Sequence, residues 1–464
     1  MRSIHRSIIS LSLLLLASAS IVRGDALDDR ILSIMAERHI PGAAIAVVQN
    51  GQVVRMKGYG VATLEFNVPV TTETVFEIGS VSKQMTAAGI MLLVQDGKVL
   101  LDEKISKYLP NTPEAWSSVT VRHLLTHTSG IKSYSSLDGF SLSERMTIND
   151  FIKKLSSHPL EFTPGERNIY SNSGFNLLAY IIETQSGKKY MDFMRERIFS
   201  PLGMTKTGDR DPQFVIPFRA NGYEWRRDRY TGRDGNLTDL MGAGSIVSTI
   251  SDMTKWEAAL RGEKLLNANS KKEIWTKFIF NSGKPSPFGL GWRISDVRGN
   301  KLIAHSGQTA GFGASIQRYA DSDVSVIALT NLGESGMGTL IATAAAKHYI
   351  PKLSLRAVNT SISADRTLVS NIENALRGRY DGSFEPTLFT TASAPSMTSQ
   401  RAKTLNERIA KFAPITNVKL FKREMVDDRD TVSAVVETSR RIFLWRIILD
   451  ADGKIIEMSL DEEE

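Results

Sequence analysis

The 464-residue chain contains no cysteine. That absence excludes disulfides, thiolate metal sites, a cysteine nucleophile and a lipid anchor on an N-terminal cysteine. Glycine (34) and proline (15) make up only about a tenth of the residues, which excludes collagen-like and low-complexity chains. Long apolar runs are also scarce. Mean hydropathy is −0.15, and a single greasy stretch stands at the very start, so a multi-span membrane protein is excluded. With 42% hydrophobic and 23% charged residues, the chain has the composition of an ordinary globular protein, long enough for two or three domains.

The greasy stretch has the layout of a secretory signal peptide. Arg2, His5 and Arg6 precede an apolar run from Ile8 to Leu16, and small residues Ala17, Ser18 and Ala19 follow. Cleavage is expected after Ala19 or Gly24, leaving a mature chain from Ser20 or Asp25 that is periplasmic or secreted, with no integral span. Losing residues 1–24 removes Arg2, Arg6 and Arg23 and lowers the formal charge from +7 to +4. The remaining lysines and arginines are scattered, so no nucleic-acid partner is expected.

Hydrophobic periodicity predicts a first helix over 28–37, with Leu27, Ile31, Ile34 and Met35 on one face. Two strand-like runs, 43–48 and 53–56, flank Asn50-Gly51, a dipeptide suited to a tight hairpin because both turn residues need positive φ. A buried helix is expected over 80–95, then a long helix-and-loop region to about Gly262. Strand character returns over 289–294, 301–304, 314–319 and 324–330. The expected fold is α+β: one antiparallel sheet assembled from both ends of the main domain (25–350), with a helical lobe between, not a doubly wound parallel sheet. Residues 351–464 read as a small separate α+β domain of unknown role, able to bind a protein partner, cover a cleft or add stability.

Ser80-Val81-Ser82-Lys83 is the first chemical constellation. Serine and lysine at i and i+3 share a helix face, and an amine beside a hydroxyl accepts its proton if burial lowers the amine's pKa. Gly79 is expected to let a substrate approach closely. The Ser-x-x-Lys pattern is weak alone, since Ser129/Lys132 and Ser186/Lys189 match it too. Singly, Ser80 reads better as a helix cap and Lys83 as a surface lysine. Tyr170-Ser-Asn172 is, however, the only Tyr-x-Asn, and His305-Ser306-Gly307 the only His-x-Gly. In this order and spacing they suit a helix, a lobe loop and a late strand meeting at one cleft.

Here the sequence resembles the penicillin-recognising serine hydrolases: class C β-lactamases, D,D-carboxypeptidases, D-aminopeptidases and related esterases. The resemblance extends through Phe76 to Lys83, Val121 to Ile131, Pro164 to Asn172, Pro201-Leu-Gly-Met204, Ala243 to Thr249 and Phe288 to Trp292, covering about 27–350. It implies a β-lactamase/transpeptidase-like fold without cofactor or metal, acting through an acyl-enzyme on a small-molecule or peptide substrate. It makes Ser80 the nucleophile and Lys83 and Tyr170 the proton-transfer pair. Asn172 would bind the substrate amide, and the backbone N–H groups of Ser80 and Gln308 would form the oxyanion hole.

The third motif departs from the Lys-Thr-Gly of class C β-lactamases. The chain does contain Lys206-Thr207-Gly208, but that triplet follows Tyr170 too closely and no strand pair is expected after it. His305 in place of lysine is expected to offer a weaker, pH-dependent positive charge for a substrate carboxylate. This favours peptidase, amidase or esterase activity over cephalosporin hydrolysis, with a true β-lactamase and a non-catalytic binding protein as the alternatives. His123 and His127 stand at i, i+4 on an expected helix, yet no third ligand accompanies them, so they read as loop-anchoring histidines rather than a metal site.

Overall fold

The structure is a computed structural model that describes residues 25–138, 146–235, 241–358, 362, 365–426 and 429–463. The expected signal peptide, residues 1–24, lies outside the described residues.

The chain opens with the helix Ala26–Glu37, capped by Asp25, whose carboxylate accepts the N–H groups of Leu27 and Asp28 at 3.0 Å each. Strands Gly42–Gln49 and Gln52–Thr63 then form the expected hairpin, with φ of 50° at Asn50 and 76° at Gly51. Next to Gly42–Gln49 lies Val324–Thr330, antiparallel, with Ala43 opposite Thr330 and Gln49 opposite Val324. Gly313–Tyr319, Lys301–Gln308 and Arg293–Asp296 continue outward, and Val68–Pro69 borders Gln52–Thr63 on the other edge. This seven-stranded sheet is built from both ends of the main domain.

The central strands are buried on both faces, which is why they read as near-continuous apolar runs. Ala43, Ile45 and Val47 pack against the terminal helices Ala26–Glu37 and Met337–Tyr349. Ala44 and Ala46, on the other face, pack against the helical lobe. Within that lobe the helix Ser82–Gln95 is buried almost all round. The lobe is not purely helical. Gly208–Asp209, Val75–Glu77 and Ile246–Thr249 form a small sheet, and Tyr223–Arg226 pairs with Arg229–Gly232. A short strand therefore begins at Gly208, the last residue of the Lys206-Thr-Gly208 triplet, and a strand pair does follow it, contrary to expectation.

The C-terminal part is a four-stranded antiparallel meander, Ile415–Val426, Arg429–Thr438, Ile442–Leu449 and Ile455–Glu463, with helices Arg366–Asp381 and Gln400–Ala410 over one face. It has its own apolar core around Ile372, Leu376, Val432, Phe443 and Trp445. Ion pairs from Glu462 to Arg298 and Lys347 (2.6 Å each), and from Arg441 to Glu37 (2.7 Å), tie it to the main domain. Glu37 and Lys347 belong to the two terminal helices, so the small domain docks on the sheet face opposite the lobe. Among the described residues, no helix is long and apolar enough to cross a membrane.

Candidate active site

Ser80 sits in the 3-10 turn Gly79–Val81 that feeds the helix Ser82–Gln95, so Lys83 lies one turn on and points back at it. Lys83 is fully buried. Its Nζ lies 2.9 Å from Ser80 Oγ, 2.8 Å from Asn172 Oδ1 and 2.6 Å from the Ala243 carbonyl oxygen. Burial holds the amine well below its usual pKa. A neutral amine has two N–H donors and one lone pair. Asn172 Oδ1 and the Ala243 carbonyl can only accept, so they occupy both donors and leave the lone pair for the Ser80 hydroxyl.

Tyr170 stands across the cleft, its ring centroid 4.8 Å from Lys83 Nζ and its phenol hydrogen-bonded with Ser80. The residue is 39% exposed as a whole, yet the phenolic oxygen is closely surrounded by protein. That desolvation pushes its pKa above the ordinary value despite the Ser80 hydrogen bond. Tyr170 is therefore a neutral phenol in the resting site, rather than the phenolate that a base role would require.

The strand Lys301–Gln308 forms the third wall. His305 is buried with its Nδ1 2.7 Å from the Ser306 carbonyl, and its ring is 6.3 Å from that of Tyr170. Desolvation, with Lys83 nearby, lowers its pKa to about 4. The expected pH-dependent positive charge is thus absent at neutral pH: His305 is a neutral imidazole with a proton on Nδ1 and, among the described residues, no partner for the acceptor at Nε2. Ser306 alternates to an exposed position.

Gly79 and Gly307 set how closely this strand meets the nucleophile turn. A Cβ on Gly307 would stand 1.9 Å from the Ile78 carbonyl and 3.0 Å from the Ser80 nitrogen. One on Gly79, at φ 50°, would stand 2.7 Å from the Gln308 nitrogen. The backbone nitrogens of Ser80 and Gln308 therefore lie side by side, as an oxyanion hole requires. Gly79 thus admits the close approach of this strand, a duty the sequence does not reveal. Glu77 ties the same two segments from behind. Its buried carboxylate accepts the Thr309 hydroxyl at 2.6 Å and pairs with Arg210 at 3.1 Å.

Ser80, Lys83, Tyr170, Asn172, His305, Gly307 and Gln308 are thus brought to one cleft. The competing Ser186/Lys189 match differs: the Ser186 hydroxyl donates to the Ile182 carbonyl, while Lys189 pairs with Glu183. Lys206 pairs with Glu73, and the Thr207 hydroxyl donates to Asp252. A cavity of about 1180 Å³ is lined by Tyr190, Lys206, Phe218 and Ser245 and does not include Ser80. The site is defined by converging groups, not by cavity size.

Sequence reasoning assigns no role to the Ala243 carbonyl, Glu77 or Thr309. A main-chain carbonyl leaves no residue-type signal, although Ala243 and Glu77 both fall in segments of family resemblance. It also misplaces His127. The helix ends at Leu125, and His127 turns left-handed at φ 60°, so the two histidines do not share a helix face. His123 completes the Thr120 capping box, whereas His127 packs on Tyr170.

A hydroxyl poised on a buried amine, beside a paired-amide cradle, defines a serine hydrolase working by acyl transfer. Comparison with known proteins supplies the family. The Beta-lactamase family model matches residues 27–349, and the chain belongs to that family. Penicillin-binding protein 4* of Bacillus subtilis is 29% identical over 337 residues, 68% of this chain and 74% of that protein. A D-aminopeptidase of Brucella anthropi is 29% identical over 360 residues, 74% of this chain and 68% of its own. Among solved structures, a D-amino acid amidase from Ochrobactrum anthropi complexed with L-phenylalanine matches with TM-score 0.59 and 28% identity, covering 70% of this chain and 98% of that one. An octameric penicillin-binding protein homologue from Pyrococcus abyssi shares the fold at 23% identity and TM-score 0.63. It covers 94% of this chain, reaching past residue 349, and 98% of its own.

Proposed function

We propose that this chain is an exported hydrolase that cleaves amides or short peptides of D-amino acids through an acyl-enzyme on Ser80. The observation that carries the reading is the hydrogen-bond set of Lys83, which leaves a neutral amine's lone pair facing the Ser80 hydroxyl. Lys83 takes the Ser80 proton as Oγ attacks the substrate carbonyl, and the oxyanion is held by the Ser80 and Gln308 N–H groups. The new ammonium on Lys83, beside the Tyr170 ring, lowers the phenol's pKa. Tyr170 then protonates the departing amine as the C–N bond breaks, and Lys83 returns a proton to Tyr170. Water attacks the acyl-enzyme with Lys83 taking its proton and passing it to Ser80 Oγ as the acyl bond breaks, which releases the acid and restores Ser80.

The neutral His305 supports amide over carboxylate-terminated substrates, because the third motif supplies no cation to grip a carboxylate. The similarity to a D-aminopeptidase and a D-amino acid amidase points the same way. Intact-protein mass spectrometry after a fluorophosphonate or benzylpenicillin, beside D-phenylalaninamide hydrolysis, tests the reading. We expect an adduct that Ser80→Ala loses, and faster turnover of the D-amide than of an acylated D-Ala-D-Ala peptide. Cephalosporin turnover approaching diffusion control would instead establish a β-lactamase. Export rests on the leader-like residues 1–24. An N-terminus at Ser20 or Asp25 in protein from an extracytoplasmic fraction supports it, and Met1 retained in the cytoplasm refutes it.

A further inference from the structure

The stretch from His127 to Tyr134 runs beside the stretch from Ile169 to Ser173 and is bonded to it at nearly every step. The His127 carbonyl accepts the Ile169 N–H at 3.1 Å, and His127 Nδ1 accepts the Ser171 N–H at 3.2 Å. Further along, the Ser171 hydroxyl donates to the Ile131 carbonyl at 3.0 Å, and the Asn172 N–H donates to Ser133 Oγ at 3.1 Å. Tyr170 lies between the two residues that His127 grips. Its ring centroid is 4.4 Å from the imidazole of His127, which is itself wedged against Phe175 at 5.2 Å and Phe288 at 5.0 Å.

Two features go beyond what packing alone needs. His127 holds φ at 60°, a conformation that a non-glycine residue adopts at some expense, and this turn aims both its carbonyl and its ring at the Tyr170 segment. Accepting at Nδ1 also fixes the proton on Nε2, which is buried without a partner among the described residues. A buried donor left unpaired is unfavourable, and a leucine or phenylalanine would fill the same space without it.

We propose that His127 is a positioning residue for Tyr170: it grips the backbone on both sides of the phenol and backs the ring, so the phenol stays aligned on Ser80. The inference rests on the reading of Tyr170 as the acid that protonates a leaving amine. Such alignment matters only when the leaving group needs a proton. An amide does, and a p-nitrophenyl ester, which leaves as a stable phenolate, does not.

The test compares His127→Phe, His127→Asn, Tyr170→Phe and Ser80→Ala on D-phenylalaninamide and p-nitrophenyl butyrate. Phenylalanine keeps the ring but removes the acceptor. Asparagine tolerates positive φ and can offer its amide oxygen to the Ser171 N–H. We expect His127→Phe to lower kcat on the amide about 100-fold with KM within about three-fold, and kcat on the ester less than five-fold. His127→Asn should stay within about five-fold of the parent on both substrates. Adding His127→Phe to Tyr170→Phe should cause no further loss on the amide, because the second change acts only through the first. Equal losses on amide and ester, or losses that multiply in the double variant, would overturn the proposal. So would an asparagine variant as impaired as the phenylalanine one, a comparison that stands on the asparagine protein even if the phenylalanine one folds poorly. Turnover surviving in Ser80→Ala, or a parent that cleaves only the ester, overturns the reading of the site and this inference with it. A dead Ser80→Ala together with an unchanged amide-to-ester ratio in His127→Phe overturns this inference alone.

Discussion

At the scale of single residues, charge state decides the chemistry. Lys83 works as a base only when neutral, and burial favours that form. Lys83→Arg would place a permanent cation against Ser80 and should slow acylation by a fluorophosphonate at least 1,000-fold. The acylation rate of the parent should rise with pH as Lys83 loses its proton, and His305→Gln should leave that rise in place. Loss of the rise in His305→Gln would transfer the base role to His305.

The buried histidines also make stability pH-dependent, with a defined sign. His305 stays neutral in the folded chain down to about pH 4, whereas an unfolded histidine titrates near its ordinary value of 6.5. Between those values the unfolded state binds more protons, so stability falls as pH falls. His305 alone contributes roughly 3 kcal/mol over the full interval. His127, shifted in the same direction, adds to the effect. Urea midpoints should therefore drop between pH 7 and pH 5, and less steeply in His305→Gln. A flat profile would show that the imidazole protonates in place.

At the scale of elements, two glycines with similar φ have different duties. Gly51, at φ 76° in the hairpin turn, has open space where a Cβ would go. Gly51→Ala should cost about 1 kcal/mol through backbone strain and leave activity intact. Gly79, at φ 50°, faces the Gln308 backbone, so Gly79→Ala must push the strand Lys301–Gln308 away from the nucleophile turn. It should lower acylation of Ser80 by 100-fold or more, as expected for losing one oxyanion donor. Equal activity in the two variants would mean that the strand does not form that hole.

The same elements show what local sequence can reveal. Asn50-Gly51 announced its hairpin because the turn's φ values exclude most other residues. Ser80 and Lys83 were readable together because i, i+3 spacing is a local property of the helix. His127 was not readable as a clamp, because its left-handed turn and its bonds to Ile169 and Ser171 join segments some 40 residues apart. The role of the Ala243 carbonyl was invisible for the same reason.

At the scale of the molecule, the small C-terminal domain sits on the terminal helices, behind the sheet as seen from the lobe. Glu462 joins Arg298 and Lys347, all three side chains less than a quarter exposed. Glu462→Ala leaves two cations facing each other and should weaken domain docking by about 2 kcal/mol. Calorimetry should then resolve an early transition for residues beyond about 350, while kcat on D-phenylalaninamide stays unchanged. A large fall in kcat would show that this domain supports the cleft after all.

The sequence by itself singled out the candidate groups that the structure brings to one cleft, and their order along the chain. Ser80, Lys83, Tyr170, Asn172 and His305 are identified by residue type, uniqueness and spacing, and the strands by their apolar runs and turns. Tertiary structure alone decided protonation. A histidine reads from sequence as a group titrating near neutrality, and a tyrosine as an acid near pH 10. Packing removed water from His305, Lys83 and Tyr170 and so favours the neutral form of each. Desolvation depends on every neighbour brought in from distant segments, and no local pattern carries it.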